Sequence, residues 1–128
     1  MSTAGLEVYR HNESGFKALV SFGKWRVALS NGPADCQRRS ITRLSAHCET
    51  DEVFVLVKGS GALILGGNGD APSEPEIVWM QPGLLYNVTK GTWHANAFMP
   101  GAQVVIVENE DTSAANSKNG ELESPLVI

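Results

Sequence analysis

Cysteine occurs only twice in this chain, at Cys36 and Cys48, and their spacing makes neither a CxxC pair nor a zinc knuckle. No disulfide framework and no thiolate metal site follow from them. Free thiols in a reducing compartment are expected, since a bridge would need Cα atoms within about 7 Å. Charge is scarce as well, at 19% of residues with a net of −4. Arg38 and Arg39 are the one adjacent basic pair, too little to hold a phosphate backbone, so nucleic acid is not an expected partner. No apolar run approaches the roughly 20 residues that cross a bilayer. The opening MSTAGLEVYRH lacks the charged and apolar regions of a secretion signal. These absences point to a cytoplasmic protein without a membrane partner. Helical signal is missing too: no stretch of about 10 residues or more carries a 3.6-residue apolar period.

Short apolar runs are present in number. Lys24–Ser30, Gln37–Ala46, Val53–Lys58, Ala62–Leu65, Glu76–Met80, Leu85–Val88, His94–Phe98 and Gln103–Glu108 are rich in Val, Ile, Leu and Phe. Gly, Pro, Asn and Asp separate them, and the pattern predicts an all-β sandwich or barrel. At 128 residues the chain is long enough for one domain with a real core. Lys58-Gly59-Ser60-Gly61 reads as a hairpin turn. Residues 66–75, GGNGDAPSEP, read as a loop; no Lys-Ser/Thr or helix follows to make a phosphate loop of it. Residues 1–110, with N-terminal strands, are assigned to the barrel and 111–128 to a mobile polar C-terminal tail of the same domain, with Pro125–Ile128 apolar enough to dock. Several strands are apolar on both faces, Val53–Val57 and Val104–Val107 among them. An outward apolar face needs a cover, and a homodimer is the favoured one.

The chain has three histidines, and two of them stand at strand edges with a carboxylate near one. Alternation puts Arg39, Ile41, Arg43, Ser45 and His47 on one face. Glu52 shares a face with Phe54 and Leu56. His47 and Glu52 are separated by an odd number of positions, so a turn at Glu49-Thr50-Asp51 must intervene if both are to enter one cavity. His94, Asn96 and Phe98 would supply the opposite wall. Two imidazoles and one carboxylate make a facial triad with open positions, suited to Zn, Mn, Fe or Ni as a divalent ion. The competing reading leaves His47 and His94 as hydrogen-bonded strand residues with no metal. Arg43, inward by parity, would pair with an anionic ligand through its guanidinium fork. Ser45, Tyr86 and Asn96 are further candidates for holding a small molecule. Trp25, Trp79 and Trp93 read as packing residues, and Cys48 points away from its neighbour His47.

These residues resemble the cupin superfamily. Its first motif has a glycine, two alternating histidines, a glutamate a few residues on, then six residues and a glycine. His47, Glu52 and Gly59 match, with Thr50-Asp51 before the glutamate. Its second motif is matched by Gly91 and His94 in TKGTWH. The resemblance covers roughly residues 40–108 and implies a double-stranded β-helix, the jelly-roll barrel, commonly dimeric. Three positions depart from it. Ser45 stands where the first histidine belongs, Thr89 replaces a proline, and Phe98 an asparagine. One of four usual ligands is therefore missing; either water fills the gap or the pocket has lost its metal. Residues 84–109 also resemble a segment of ureidoglycolate lyases, which implies His94 as general acid or base. The functional expectation is a barrel binding a small polar or anionic compound, with a divalent metal on His47, Glu52 and His94. Metal-assisted isomerase, hydrolase or lyase chemistry, with His94 and Glu52 as the catalytic pair, is set against a metal-free binding or sensing module.

Overall fold

A computed structural model describes residues 2–35 and 38–128. Cys36 and Gln37 lie outside the described residues, so the pairing of the cysteines and the start of the predicted strand at Gln37 do too. The chain is built of strands. A small hairpin, β1 (Ser2–Thr3) and β2 (Leu6–Glu7), precedes β3 (Gly15–Phe22), β4 (Trp25–Asn31), β5 (Ser40–His47) and β6 (Glu52–Lys58). Then come β7 (Gly61–Leu65), β8 (Glu76–Trp79), β9 (Tyr86–Val88), β10 (His94–Phe98) and β11 (Gln103–Asn109). A single 3-10 turn, Ala114–Asn116, leads into β12 (Ser117–Val127). Two five-stranded antiparallel sheets result, ordered β3-β4-β11-β6-β9 and β12-β5-β10-β7-β8. The expected all-β jelly-roll barrel is what the chain forms.

The eight runs expected from apolar patterning all lie on strands. The strands that patterning missed are β1 to β3 and β12. Gly15–Phe22 is exposed along most of its length, so burial never imposed an apolar alternation on it. Ser117–Val127 carries the larger correction. It is no loose tail but an 11-residue strand that pairs with β5 from Ser117↔His47 through Val127↔Ser40. A polar, Ser- and Asn-bearing strand whose partner supplies the apolar contacts has no sequence signature of its own.

The turn at 58–61 is also corrected. It makes no hairpin, because β6 and β7 belong to different sheets. Gly59 carries the chain around this corner at φ +78°, where a Cβ would sit 2.6 Å from the Cα of Ala102. Only glycine fits there.

Burial divides into two layers. Between the sheets lie Phe54, Leu56, Leu63, Phe98, Val104 and Ile106. On the other face of the β5 sheet, Leu44, Ala46, Ile64, Trp93 and Ala97 form a second cluster. Its cover comes from this same chain. The 66–75 loop folds back, with Trp93 Nε1 donating to Gly69 O at 3.0 Å and Ser73 N to Gly66 O at 2.8 Å. Leu122, Leu126 and Ile128 close the rest, and Trp93 is the packing residue that was expected. Outward on the other sheet, Val53, Val55, Val105 and Val107 remain half-buried.

Candidate metal centre

Three elements bring the chemistry together. β5 ends at His47, residues 48–51 pass from one sheet to the other, and β6 begins at Glu52. That turn is the parity change the odd spacing demands. His94 opens β10, which lies directly beside β5 with His94 opposite Ser45. The wall carrying His94 and Asn96 is thus the neighbouring strand of the same sheet, not the opposite wall. Alternation with Ala95 and Ala97, which sit in the outer cluster, turns His94, Asn96 and Phe98 inward.

The two motif turns are stitched to each other. Gly91 N donates to His47 O at 2.7 Å, Lys90 N to Asp51 Oδ1 at 2.9 Å and Asn87 Nδ2 to Asp51 Oδ2 at 3.1 Å. The hydrogen bonds from Asn87 and Lys90 hold the Asp51 carboxyl below its ordinary range. Thr50, buried, accepts from Asn109 N at 3.0 Å and ties the same turn to β11.

One nitrogen or oxygen from each of His47, Glu52 and His94 lies within 4.8 Å of the other two. His94 Nε2 is 2.9 Å and His47 Nε2 3.4 Å from the same Glu52 Oε1. A divalent ion with bonds of about 2.1 Å needs its ligand atoms roughly 3.0–3.5 Å apart, so little movement separates this cluster from a coordination shell. The remaining ring nitrogens are committed. His94 Nδ1 donates to Thr92 O at 3.0 Å, and His47 Nδ1 shares a hydrogen bond with Ser117 Oγ at 2.8 Å. Fixing Nδ1 in this way leaves Nε2 to carry the lone pair toward the centre, as metal-bound imidazoles require. The donor set fits a divalent ion.

Electrostatics follow from burial and pairing. Burial alone would raise the Glu52 carboxyl, but hydrogen bonds from His47 and His94 outweigh it and bring the group down to about 2. Burial likewise disfavours charge on His94. Its bonds to Glu52 and to the Thr92 carbonyl prevail and raise it. A neutral His94 with its Nδ1 proton on Thr92 would set a lone pair against Glu52 Oε1. A proton on Nε2 would lie between the two groups, which is why the Glu52 bond raises His94. Glu108, on β11, adds a second inward carboxyl against Glu52. Burial and the Glu52 charge push it up, while Arg26 opposes with Nη2 at 2.7 Å and Nε at 3.2 Å from its Oε2.

The other candidates scatter. Ser45 lies beside His94, but its hydroxyl donates to Asn119 Oδ1 at 2.8 Å. Arg43 is exposed at the rim, opposite Glu121. Tyr86 pairs with Phe54 between β9 and β6 and accepts from Gln81 N at 2.9 Å. Asn96 is half-buried, two positions along β10 from His94. Residues that sequence reasoning missed are Ser117 and Asn119 on β12, and the Arg26–Glu108 pair. The alternation Arg26, Ala28, Ser30 against Val104, Ile106, Glu108 was the only available signal for that pair.

Solved structures resemble this arrangement of sheets. QdtA, a sugar 3,4-ketoisomerase from Thermoanaerobacterium thermosaccharolyticum in complex with TDP, matches with a TM-score of 0.58 and 16% identity over 82% of this chain and 84% of its own. A cupin-2 domain containing protein from Shewanella frigidimarina matches at 0.55 with 18% identity, covering 78% of this chain and 85% of its own. KdgF from Halomonas sp. matches at 0.51 with 17% identity over 80% and 87% of the two chains.

The chain has the cupin fold.

No family model matches its sequence, and no curated protein does. Within the cupin fold, the His47–Glu52–His94 cluster occupies the inner end of the barrel wall, and His47, with one-fifth of its side chain exposed, gives it a route to solvent. A surface hollow of about 570 Å³ between Pro72–Pro75 and Glu121–Leu126 offers carboxylates and no histidine.

Proposed function

We propose that this cupin holds a divalent metal on His47, Glu52 and His94 and acts on a small polar or anionic compound inside the barrel. The observation that carries the reading is the convergence of two Nε2 atoms and Glu52 Oε1 with both Nδ1 atoms held by other partners. A hydrogen-bonded cluster without that commitment would serve structure alone. When bound, the ion supplies a Lewis acid that polarises a substrate oxygen. Ser117 and Thr92 hold the rings at the angle the site needs, and Phe54, packed edge-on to His94 at 6.2 Å between ring centroids, keeps bulk water from that side. Isomerisation, hydrolysis or elimination next to a carbonyl suits such a centre better than chemistry on an unactivated carbon.

A second reading is favoured by the 2.9 Å bond between His94 and Glu52. In it, the pair works without metal as a proton shuttle, His94 giving and taking the proton that Glu52 keeps in place. Sugar ketoisomerases among the similar folds make such proton transfers a natural comparison. The lyase resemblance of residues 84–109 would assign His94 the same duty. We further propose a cytoplasmic homodimer, its cover laid over the outward valines of β6 and β11.

Elemental analysis of untagged protein separates the two readings. One equivalent of metal per chain, lost in His94→Ala and in Glu52→Gln, supports the first. Protein that takes up no metal when dialysed against Zn, Mn, Fe or Ni salts refutes it and leaves the proton shuttle.

A further inference from the structure

A hollow of about 470 Å³ lies further along the strand that His94 opens, and its lining includes Ser30, Arg39, Asn96 and Phe98. No carboxylate lines it, and Arg39 is its one charged side chain. Arg39 is half-buried, yet none of the three ion pairs among the described residues includes it. Among the described residues its one side-chain hydrogen bond runs from Nη1 to Phe98 O at 3.3 Å, and the other donors of the guanidinium fork meet no acceptor there. The backbone holds it in place: Arg39 N donates to Ile128 O at 2.9 Å, and Ile128 N returns a bond to Arg39 O at 2.8 Å. Asn96 has no hydrogen-bond partner for its carboxamide among the described residues. Because no fully buried polar atom lacks a partner, that group opens onto the cavity. A partly desolvated guanidinium beside an uncommitted amide and the Ser30 hydroxyl is a donor set without an acceptor.

We propose that this cavity binds the anionic end, carboxylate or phosphate, of a substrate whose other end reaches His94. The spanning part rests on the metal-centre reading above; the anion subsite does not. β10 sets the ruler. His94, Asn96 and Phe98 share a face, and four strand steps place Arg39's contact at Phe98 on the order of 13 Å from His94. A two- or three-carbon hydroxy acid is too short to bridge that distance. A sugar acid or a sugar phosphate is long enough, with Asn96 meeting its middle.

Titration calorimetry on the chelated, metal-free protein tests the subsite alone, with inorganic phosphate as probe. Arg39→Gln should weaken phosphate binding at least tenfold, and Asn96→Asp, which places a carboxylate in the cavity, should abolish it. Arg38→Gln, removing the same charge from an exposed neighbour, should leave it unchanged. Equal binding by wild type and both cavity variants, or equal loss in Arg38→Gln, overturns the proposal, whether or not the protein takes up metal. Metal-loaded protein then tests the span. Glucose phosphorylated at its terminal carbon, or glucuronate, should bind at least tenfold tighter than glycolate, with the gain lost in both His94→Ala and Arg39→Gln. The tighter of the two long probes tells phosphate from carboxylate. A gain that survives Arg39→Gln overturns the span.

Discussion

At the scale of single residues, Glu52 and His94 face each other with opposite shifts. The sign of each pH effect follows from the direction of its shift. Glu52 is depressed from 4.5 to about 2, so its contribution to stability is full above 4.5 and is lost as pH falls toward 2. His94 is raised above 6.5, so its contribution is full below 6.5 and is lost as pH rises through the raised value. Glu108 is raised as well and costs stability as it ionises. Chelated protein should therefore gain most from the His94–Glu52 pair between pH 4.5 and 6.5. Thermal melts across pH should show His94→Gln losing the fall on the alkaline side. Metal affinity should run the other way and rise with pH up to the His94 value, because binding expels a proton. Calorimetry in buffers of different ionisation enthalpy counts that proton. Ser45 belongs to this scale too. A hydroxyl is a poor ligand at neutral pH, and the Ser45 hydroxyl is committed to Asn119.

At the scale of elements, β12 changes the picture most. Its Ser117 sets His47, its Asn119 takes Ser45, and its far end closes the outer cluster. Gly120 lies where β12 meets the 66–75 loop. A Cβ there would fall 2.5 Å from Pro72 Cδ and 3.2 Å from Trp93 Cζ3. Proline cannot swing aside, so Gly120→Ala should destabilise by about 1–3 kcal/mol, the range for overpacking a tight contact. Urea unfolding would measure it; an unchanged midpoint would show the loop able to lift away. β5 shows how alternation fails over a longer stretch. Ile41 and Leu44 share the outer cluster although three positions apart, and the β5–β12 register shifts between Glu121 and Leu126. Five steps along β12 pass there against two along β5, so the extra residues bulge from β12. Counting by twos from His47 leaves Ile41 on the wrong side, and Arg43, expected to face inward, is exposed opposite Glu121.

At the scale of the whole molecule, one outer sheet face is covered by the chain itself and the other only in part. The 8–12 segment runs beside Leu29 and Gln103, while Val53, Val55, Val105 and Val107 stay half-buried. A flat valine surface is self-complementary and suits a two-fold interface. Val55→Glu should convert a dimer into a monomer in sedimentation velocity without disturbing metal content. A wild-type chain that sediments as a monomer removes the dimer from the account. The barrel itself needs no partner to form the centre, whose three ligand residues come from one chain.

Local chemistry made much of this legible in advance. The period of two, the punctuation by Gly, Pro and Asn, and the odd spacing from His47 to Glu52 act over a few residues, so they survive in the sequence and specify strands, an intervening turn and a convergent ligand set. Sheet membership, register and the bulge in β12 depend on contacts between distant segments, which no local pattern encodes. Tertiary structure therefore decided that β6 and β7 part at Gly59, that β12 is a wall and not a tail, and that Arg39 rather than Arg43 faces a cavity. Each of these turns on where one strand lies against another. A one-residue change of register exchanges the inner and outer faces of everything beyond it.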